Sequence, residues 1–214
     1  MAWALRFYLT NFEIASHNLM SAISPPVTAN SSMTPCSVPQ CLSELVQFLD
    51  SLEERAPQQE LNRLLTELEV SPELLSDFIN FSDCTYHRNL ITEAKWYELL
   101  CICWQSGQRS PIHNHAQSTC GLRIVEGVAT ETIFEPTASG QIKAVKSSDF
   151  SEGFVCTSED ADIHQVSNLQ SPGKNLVTLH IYSPPLRTMD TYTLLGSDSV
   201  PYSPPQNEKP DCPE

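Results

Sequence analysis

The chain has 214 residues, 40% of them hydrophobic, which is enough for one well-buried domain with tails. Its formal net charge of -14, from 26 acidic against 12 basic residues, excludes nucleic acid and anionic membrane as partners, because both need a basic surface. No apolar run approaches the roughly 20 residues of a membrane helix, and eight cysteines spread through a chain with its own core are expected to be reduced thiols of a cytoplasmic protein.

The N-terminal stretch Met1–Ser16 is apolar in patches but broken by Arg6, Asn11 and Glu13, so it does not read as a signal peptide. Residues 21–40 are rich in Ser, Thr and Pro, and residues 1–36 are expected to form a flexible leader. Cys36 and Cys41 have the spacing of half a zinc site, yet no second Cys or His pair stands nearby, and they read as ordinary thiols. Helical periodicity begins with Leu42, Leu45, Val46 and Leu49, and returns with Leu61, Leu64, Leu65 and Leu68. Ser71-Pro72-Glu73 then reads as a helix start leading into Leu74, Leu75 and Phe78.

From about Asn89 the texture changes to short β-rich runs separated by Gly, Pro, Ser and Asp. Strands are predicted at 89–91, 96–104, 121–125, 129–134, 142–145, 154–157, 164–167 and 175–182. Many short strands after a helical start predict a mainly β fold, a small β-barrel or jelly roll with helices packed outside. The domain is expected to span residues 37–196. The Pro-rich acidic tail, 197–214, reads as disordered.

Within the β region, Gly107 is followed by His113, His115, Cys120 and Gly127 in the spacing Gly-x5-His-x-His-x4-Cys-x6-Gly, and His164 follows on a later strand. Two histidines one residue apart on a strand point to the same face, and a third from a neighbouring strand can complete one face of a metal's coordination sphere. Three imidazoles converging inside an apolar barrel would be costly to bury unless a metal or a hydrogen-bond network satisfied them. The metal reading is therefore preferred over three core histidines. Thr178, His180 and Tyr182 sit at alternate positions of one predicted strand and share a face, either in the site or as a polar ladder against solvent.

The two histidine segments resemble the cupin pattern, which has Glu where this chain has Cys120, and whose second segment corresponds to Gly153, His164 and Asn168. Glu159 and Ala161 stand where that second segment carries Pro and Gly. With Tyr86-His87-Arg88-Asn89-Leu90, Cys103-Trp104 and His180-Ile181-Tyr182-Ser183-Pro184-Pro185, the chain resembles the cysteine dioxygenase family of the cupin superfamily over about residues 82–188. The resemblance implies a cupin-type β-barrel binding Fe(II) through His113, His115 and His164. It further implies Arg88, and with it Tyr86, as the group that binds the carboxylate of L-cysteine, and Tyr182 and His180 as the pair that positions the reacting oxygen. It also implies that Cys120 can form a thioether with Tyr182.

The chemistry of these residue types agrees with that reading. Three neutral imidazoles leave the full double charge on Fe(II), which a substrate thiolate partly neutralises. An amino-thiol can chelate through sulfur and nitrogen and leave a position for O2, while Arg88 offers a planar, permanently charged fork to its carboxylate. Three alternatives stay open: a dioxygenase for another small thiol such as 3-mercaptopropionate, a zinc or manganese cupin enzyme, and a cupin that binds a small ligand without chemistry. Arg88 favours cysteine over 3-mercaptopropionate, because enzymes for the latter carry Gln at that position. A monomer is expected.

Overall fold

A computed structural model describes residues 37–159, 163–196 and 199–204. The expected leader, 1–36, lies outside the described residues, as do 205–214 of the tail and Ala161 of the second cupin segment.

The helical part opens with a 3-10 turn at Gln40–Leu42 that runs into helix α1 (Ser43–Asp50), followed by α2 (Gln58–Glu67) and a second 3-10 turn at Glu73–Phe78. The last of these covers the short helix expected there but with 3-10 winding, and no side chain caps its start. The periodic leucines are the buried ones: Leu45 and Leu49 on α1, and Leu61, Leu64 and Leu65 on α2. Eight- and ten-residue helices are marginal alone. Here, Tyr97 donates to Asp50 on α1 (2.6 Å), Ala56 N donates to Ser183 Oγ (2.8 Å), and Gln58 donates to the Thr157 carbonyl (2.7 Å).

Eleven strands make up the described β region: β1 (His87–Ala94), β2 (Tyr97–Trp104), β3 (Ile112–His113), β4 (Thr119–Glu126), β5 (Val128–Pro136), β6 (Ile142–Ser151), β7 (Val155–Glu159), β8 (Ile163–Ser167), β9 (Leu176–Ser183), β10 (Met189–Tyr192) and β11 (Val200–Tyr202). They form a five-stranded sheet in the order β1-β2-β9-β4-β7 and a six-stranded sheet in the order β11-β10-β3-β8-β5-β6. This is a jelly roll of two sheets, mainly β as expected, although the sheets do not close into one continuous barrel.

Strands β2 and β9 are buried along their whole length, and their period of two sorts the core into two layers. Leu99, Cys101 and Cys103 of β2 and Val177, Leu179 and Ile181 of β9 pack with the helical leucines. Leu100, Ile102, Trp104 and Tyr182 turn to the opposite side. Cys101-x-Cys103 is therefore core packing. Cys84, in contrast to the expectation of reduced thiols throughout, is disulfide-bonded, while Cys41, Cys101, Cys103, Cys120 and Cys156 are in no disulfide.

Strands β3, β10 and β11 had no counterpart in the sequence reading. Runs of two to four residues are too short to show alternation, and they exist because the sheet supplies their partners. Strand β11 lies inside the stretch expected to be disordered, where it pairs antiparallel with β10 at Met189↔Tyr202, Asp190↔Pro201 and Thr191↔Val200. Its side chains are exposed, so backbone pairing rather than composition orders it, and its edge position tolerates Pro201.

Gly127, in the β4–β5 turn, has φ +86°, and a Cβ there would come within 2.3 Å of the Asn175 carbonyl oxygen. Gly153 has φ +83° with nothing in the way. Gly127→Ala is expected to cost more than Gly153→Ala, which carries only the backbone strain of roughly 1–3 kcal/mol. Denaturant midpoints of the two variants check this; equal losses would show that the β4–β5 turn yields freely.

Candidate metal centre and substrate cavity

The buried cavity between the two sheets takes its walls from both. The six-stranded sheet contributes the histidines. His113 ends β3, held between β10 and β8 by the pairs Thr191↔His113 and His113↔His164. His115 lies just past the strand rather than on it, because the chain turns at once: Asn114 N donates to the Asp190 carbonyl (3.2 Å), and Ala116 and Gln117 have φ of 44° and 73°. The alternation expected of a strand still brings both rings inward.

The three rings meet edge to face or tilted, with centroids 4.7 Å (His113–His164), 4.8 Å (His115–His164) and 5.5 Å (His113–His115) apart. All three residues are buried, and one ligand atom from each lies within 4.8 Å of the others. Each Nδ1 has a partner of its own. His113 is 2.9 Å from the Pro111 carbonyl, His164 is 2.8 Å from Glu131 Oε1, and His115 is 3.3 Å from Ser158 Oγ. A carbonyl and a carboxylate can only accept, so His113 and His164 are assigned the Nδ1–H tautomer, with Nε2 left as a lone-pair donor.

Nε2 of His115 and of His164 is buried without a hydrogen-bond partner, a costly arrangement for an apolar interior unless something accepts the lone pairs. Burial, together with the neighbouring His164, pushes His113 down to about 3, and burial drives His115 well below the usual imidazole range. Both rings are thus neutral, the form that binds a metal. The donor set, its outward anchoring and its orphaned Nε2 atoms fit a metal ion. Glu131 and Ser158, which orient two of the rings, carry no sequence signal; only the pairing of β5 with β8 and the position of β7 bring them in.

The five-stranded sheet contributes the opposite wall. On β9, His180 Nδ1 is 3.1 Å from Tyr182 Oη and His180 Nε2 is 3.0 Å from Thr178 Oγ1. Thr178 donates to the Ile102 carbonyl (3.3 Å) and accepts the indole N–H of Trp104 (3.0 Å). A hydroxyl has one proton to give, so Thr178 also accepts from His180 Nε2–H, and His180 Nδ1 accepts from the Tyr182 hydroxyl. This network assigns the tautomer of His180. Burial lowers its pKa and raises that of Tyr182, so the pair rests as neutral imidazole and phenol.

Arg88, on β1, lines the cavity with its guanidinium carbon 5.5 Å from the centre of the Tyr182 ring. Its hydrogen-bond partner is Glu98 of β2, at 3.0 Å from Nη2. Tyr86 stacks on Trp104 at a centroid distance of 4.5 Å and is raised to about 12 by burial. Glu98 lies outside the motifs that carry the resemblance, and nothing in the sequence marks it out from the other residues of its strand. Cys120 of β4 sits directly opposite Tyr182 of β9 in the register of the pair, and both side chains line the cavity. Every site residue expected from the sequence therefore borders one cavity: Tyr86, Arg88, His113, His115, Cys120, His164, His180 and Tyr182.

A family model described as cysteine dioxygenase type I matches residues 24–194. The chain belongs to the cysteine dioxygenase type I family. As a member of it, the protein is an enzyme of the cysteine dioxygenase class, an oxidoreductase on a cupin scaffold. It is similar to the cysteine dioxygenase type 1 of Danio rerio, 27% identical over 161 residues covering 72% of this chain and 80% of that protein. It is also similar to that of Homo sapiens, 28% identical over 160 residues with the same coverage. Among solved structures, an RmlC-like cupin protein from Desulfovibrio desulfuricans superposes with a TM-score of 0.38 at 18% identity, over 50% of this chain and 90% of that one. A Thermus thermophilus protein gives 0.44 at 14% identity, over 52% and 94%. No helix among the described residues of this cysteine dioxygenase family member is long and apolar enough to cross a membrane.

Proposed function

We propose that the protein is a mononuclear non-haem iron dioxygenase that converts L-cysteine to cysteine sulfinic acid, acting as a cytoplasmic monomer. The observation that carries the reading is the cavity itself, where three outward-anchored imidazoles face a buried arginine across a space lined by both sheets. The reaction balances as R–SH plus O2 giving R–SO2H, with both oxygens ending on sulfur and no further reductant.

His113, His115 and His164 would hold the iron. Fe(II), when bound, would supply the one-electron chemistry that lets O2 react with a thiol. Arg88 receives the substrate carboxylate. Its Nη2 is committed to Glu98, and its buried Nε–H has no partner, which leaves donor capacity for a second carboxylate. Tyr86 and the stacked Trp104 give that end of the cavity a flat apolar wall. Tyr182 and His180 hold one proton between Oη and Nδ1 and position it against the reacting oxygen. Thr178 and Trp104 keep that pair from rotating.

Cys120 and Tyr182 are directly opposite residues of an antiparallel pair, a placement in which side chains touch. A thioether from Cys120 Sγ to the ring carbon beside the Tyr182 hydroxyl forms with loss of the thiol and ring hydrogens, as two protons and two electrons taken up by O2 during turnover. The bond locks the ring and preorganises its hydroxyl. Protein turned over with cysteine and O2 is expected to weigh two hydrogens less and to give a Cys120–Tyr182 peptide that survives reduction. Cys120→Gly is expected to lose activity only in part. Iron-replete, turned-over protein without such a peptide would sink this role for Cys120.

The function itself is tested by oxygen uptake with a panel of thiols, run beside elemental analysis. Cysteine is expected to support uptake with one cysteine sulfinic acid formed per O2, and 3-mercaptopropionate to support it poorly. Stoichiometric zinc or manganese that supports no cysteine-dependent uptake, with none restored on iron loading, would replace this reading by another cupin chemistry.

A further inference from the structure

We infer that Glu98 is a positioning residue that sets how strongly the cavity discriminates thiols bearing a carboxylate from thiols without one, by holding Arg88 and offsetting its charge. The inference rests on the reading of Arg88 as the carboxylate receptor.

Glu98 is fully buried, and Arg88 is 5% exposed. A carboxylate in such a place needs a strong reason to stay charged. Its Oε1 accepts from Arg88 Nη2 (3.0 Å) and from the backbone N–H of Leu186 (3.0 Å), and Oε2 lies 3.9 Å from Arg187 Nη1. Arg187 is itself paired with Glu93 at the surface. Glu98 is also the register partner of Tyr182 across β2 and β9. One side chain therefore ties the arginine to the turn after β9 and stands beside the strand that carries the tyrosine.

Two consequences follow for an incoming cysteine. The guanidinium is fixed on its Nη2 side, so its other donors, the buried and unpartnered Nε–H among them, are presented in one orientation. Burial raises the Glu98 carboxyl above its usual range while the neighbouring Arg88 draws it back; ionised at 3.0 Å from the guanidinium, it already matches the charge of Arg88, so a substrate carboxylate is the second anion on one cation. In a water-excluded cavity that second anion is attracted less strongly than it would be to an unpaired arginine. Glu98 thus tempers affinity for carboxylate-bearing thiols while keeping the arginine in place.

Glu98→Gln separates the two effects, since the amide oxygen can still accept from Arg88 and Leu186 while the negative charge is gone. Equilibrium binding of cysteine and of cysteamine, which lacks the carboxylate, is measured without O2 on the metal-loaded protein, with the thermal shift given by each ligand as a second readout. The ratio of cysteamine to cysteine dissociation constants is expected to rise at least threefold in E98Q, and cysteine is expected to stabilise E98Q more than it stabilises the wild type. Glu98→Asp, which keeps the charge, is expected to keep the ratio nearer the wild-type value than E98Q does. An unchanged ratio, or equal shifts for both ligands, overturns the proposal and leaves Glu98 as a structural ion pair. Should E98Q fail to fold, Glu98→Asn is read by the same ratio; failure of both amide variants beside a folded E98D also overturns it. A wild-type protein that neither binds nor oxidises cysteine defeats the reading of Arg88 instead, and the two failures are distinct.

Discussion

Replacing any one of His113, His115 or His164 by Ala is expected to strip the protein of its metal and of its cysteine-dependent oxygen uptake while the jelly roll stays folded. The three Nε2 atoms are the inward donors of the site, and two imidazoles can neither hold the ion as tightly nor fix its geometry. Folding is expected to survive because the neighbours of these rings can rehydrate or repack. Glu131, which loses its partner in His164→Ala, has a side chain 20% exposed and reaches water. The loss should exceed the roughly 10–100-fold drop in metal affinity that follows removal of an outer partner, and Glu131→Gln supplies that graded comparison. Metal per chain after dialysis, read beside circular dichroism, decides the matter. A single alanine variant that keeps stoichiometric metal and near-normal turnover removes that histidine from the ligand set.

Arg88→Ala is expected to weaken cysteine far more than cysteamine. A charge-assisted contact contributes about 1.5–3 kcal/mol, which corresponds to roughly ten- to 150-fold in affinity. The ion pair with Glu98 adds a second effect, because removing one partner of a buried pair leaves the other charge uncompensated at a cost of about 3–5 kcal/mol. Arg88→Ala is therefore expected to melt earlier as well as to bind cysteine weakly, and its binding assay belongs at low temperature. The double variant R88A/E98Q removes both charges and is expected to recover stability while cysteine binding stays weak. If cysteine and cysteamine lose affinity equally in Arg88→Ala, the arginine only supports the fold, and substrate choice lies elsewhere.

The side chains of the site were legible in the sequence wherever chemistry depends on residue type at fixed spacing. His113 and His115 are two residues apart, Thr178, His180 and Tyr182 alternate, and a strand turns such positions to one face whatever surrounds them. The buried leucines of α1 and α2 were legible for the same reason, since a period of 3.6 selects one side of a helix. Where length was short the pattern failed. Two residues of β3 and three of β11 show no period, and Val200–Tyr202 looks unstructured by composition although β10 pairs with it.

Partners contributed by other strands had no sequence signal at all. Glu131 reaches His164 because β5 pairs with β8 (Ile133↔His164), and the register of β1 on β2 (Arg88↔Ile102) puts Arg88 four residues along β2 from Glu98, which its long side chain spans. In the sequence, Glu131 and Glu98 are two acidic residues among 26. Their roles come from burial, which makes an unpaired polar atom costly and a paired one directional. The sequence by itself determined which residue types could bind a metal, grip a carboxylate and move a proton, because those are properties of the side chains and of the periods of strand and helix. Only the tertiary structure decided which nitrogen of His113 and of His164 is tied to a hydrogen-bond partner, and that Arg88 already holds a buried carboxylate, because register and exclusion of water exist only once the sheets have paired.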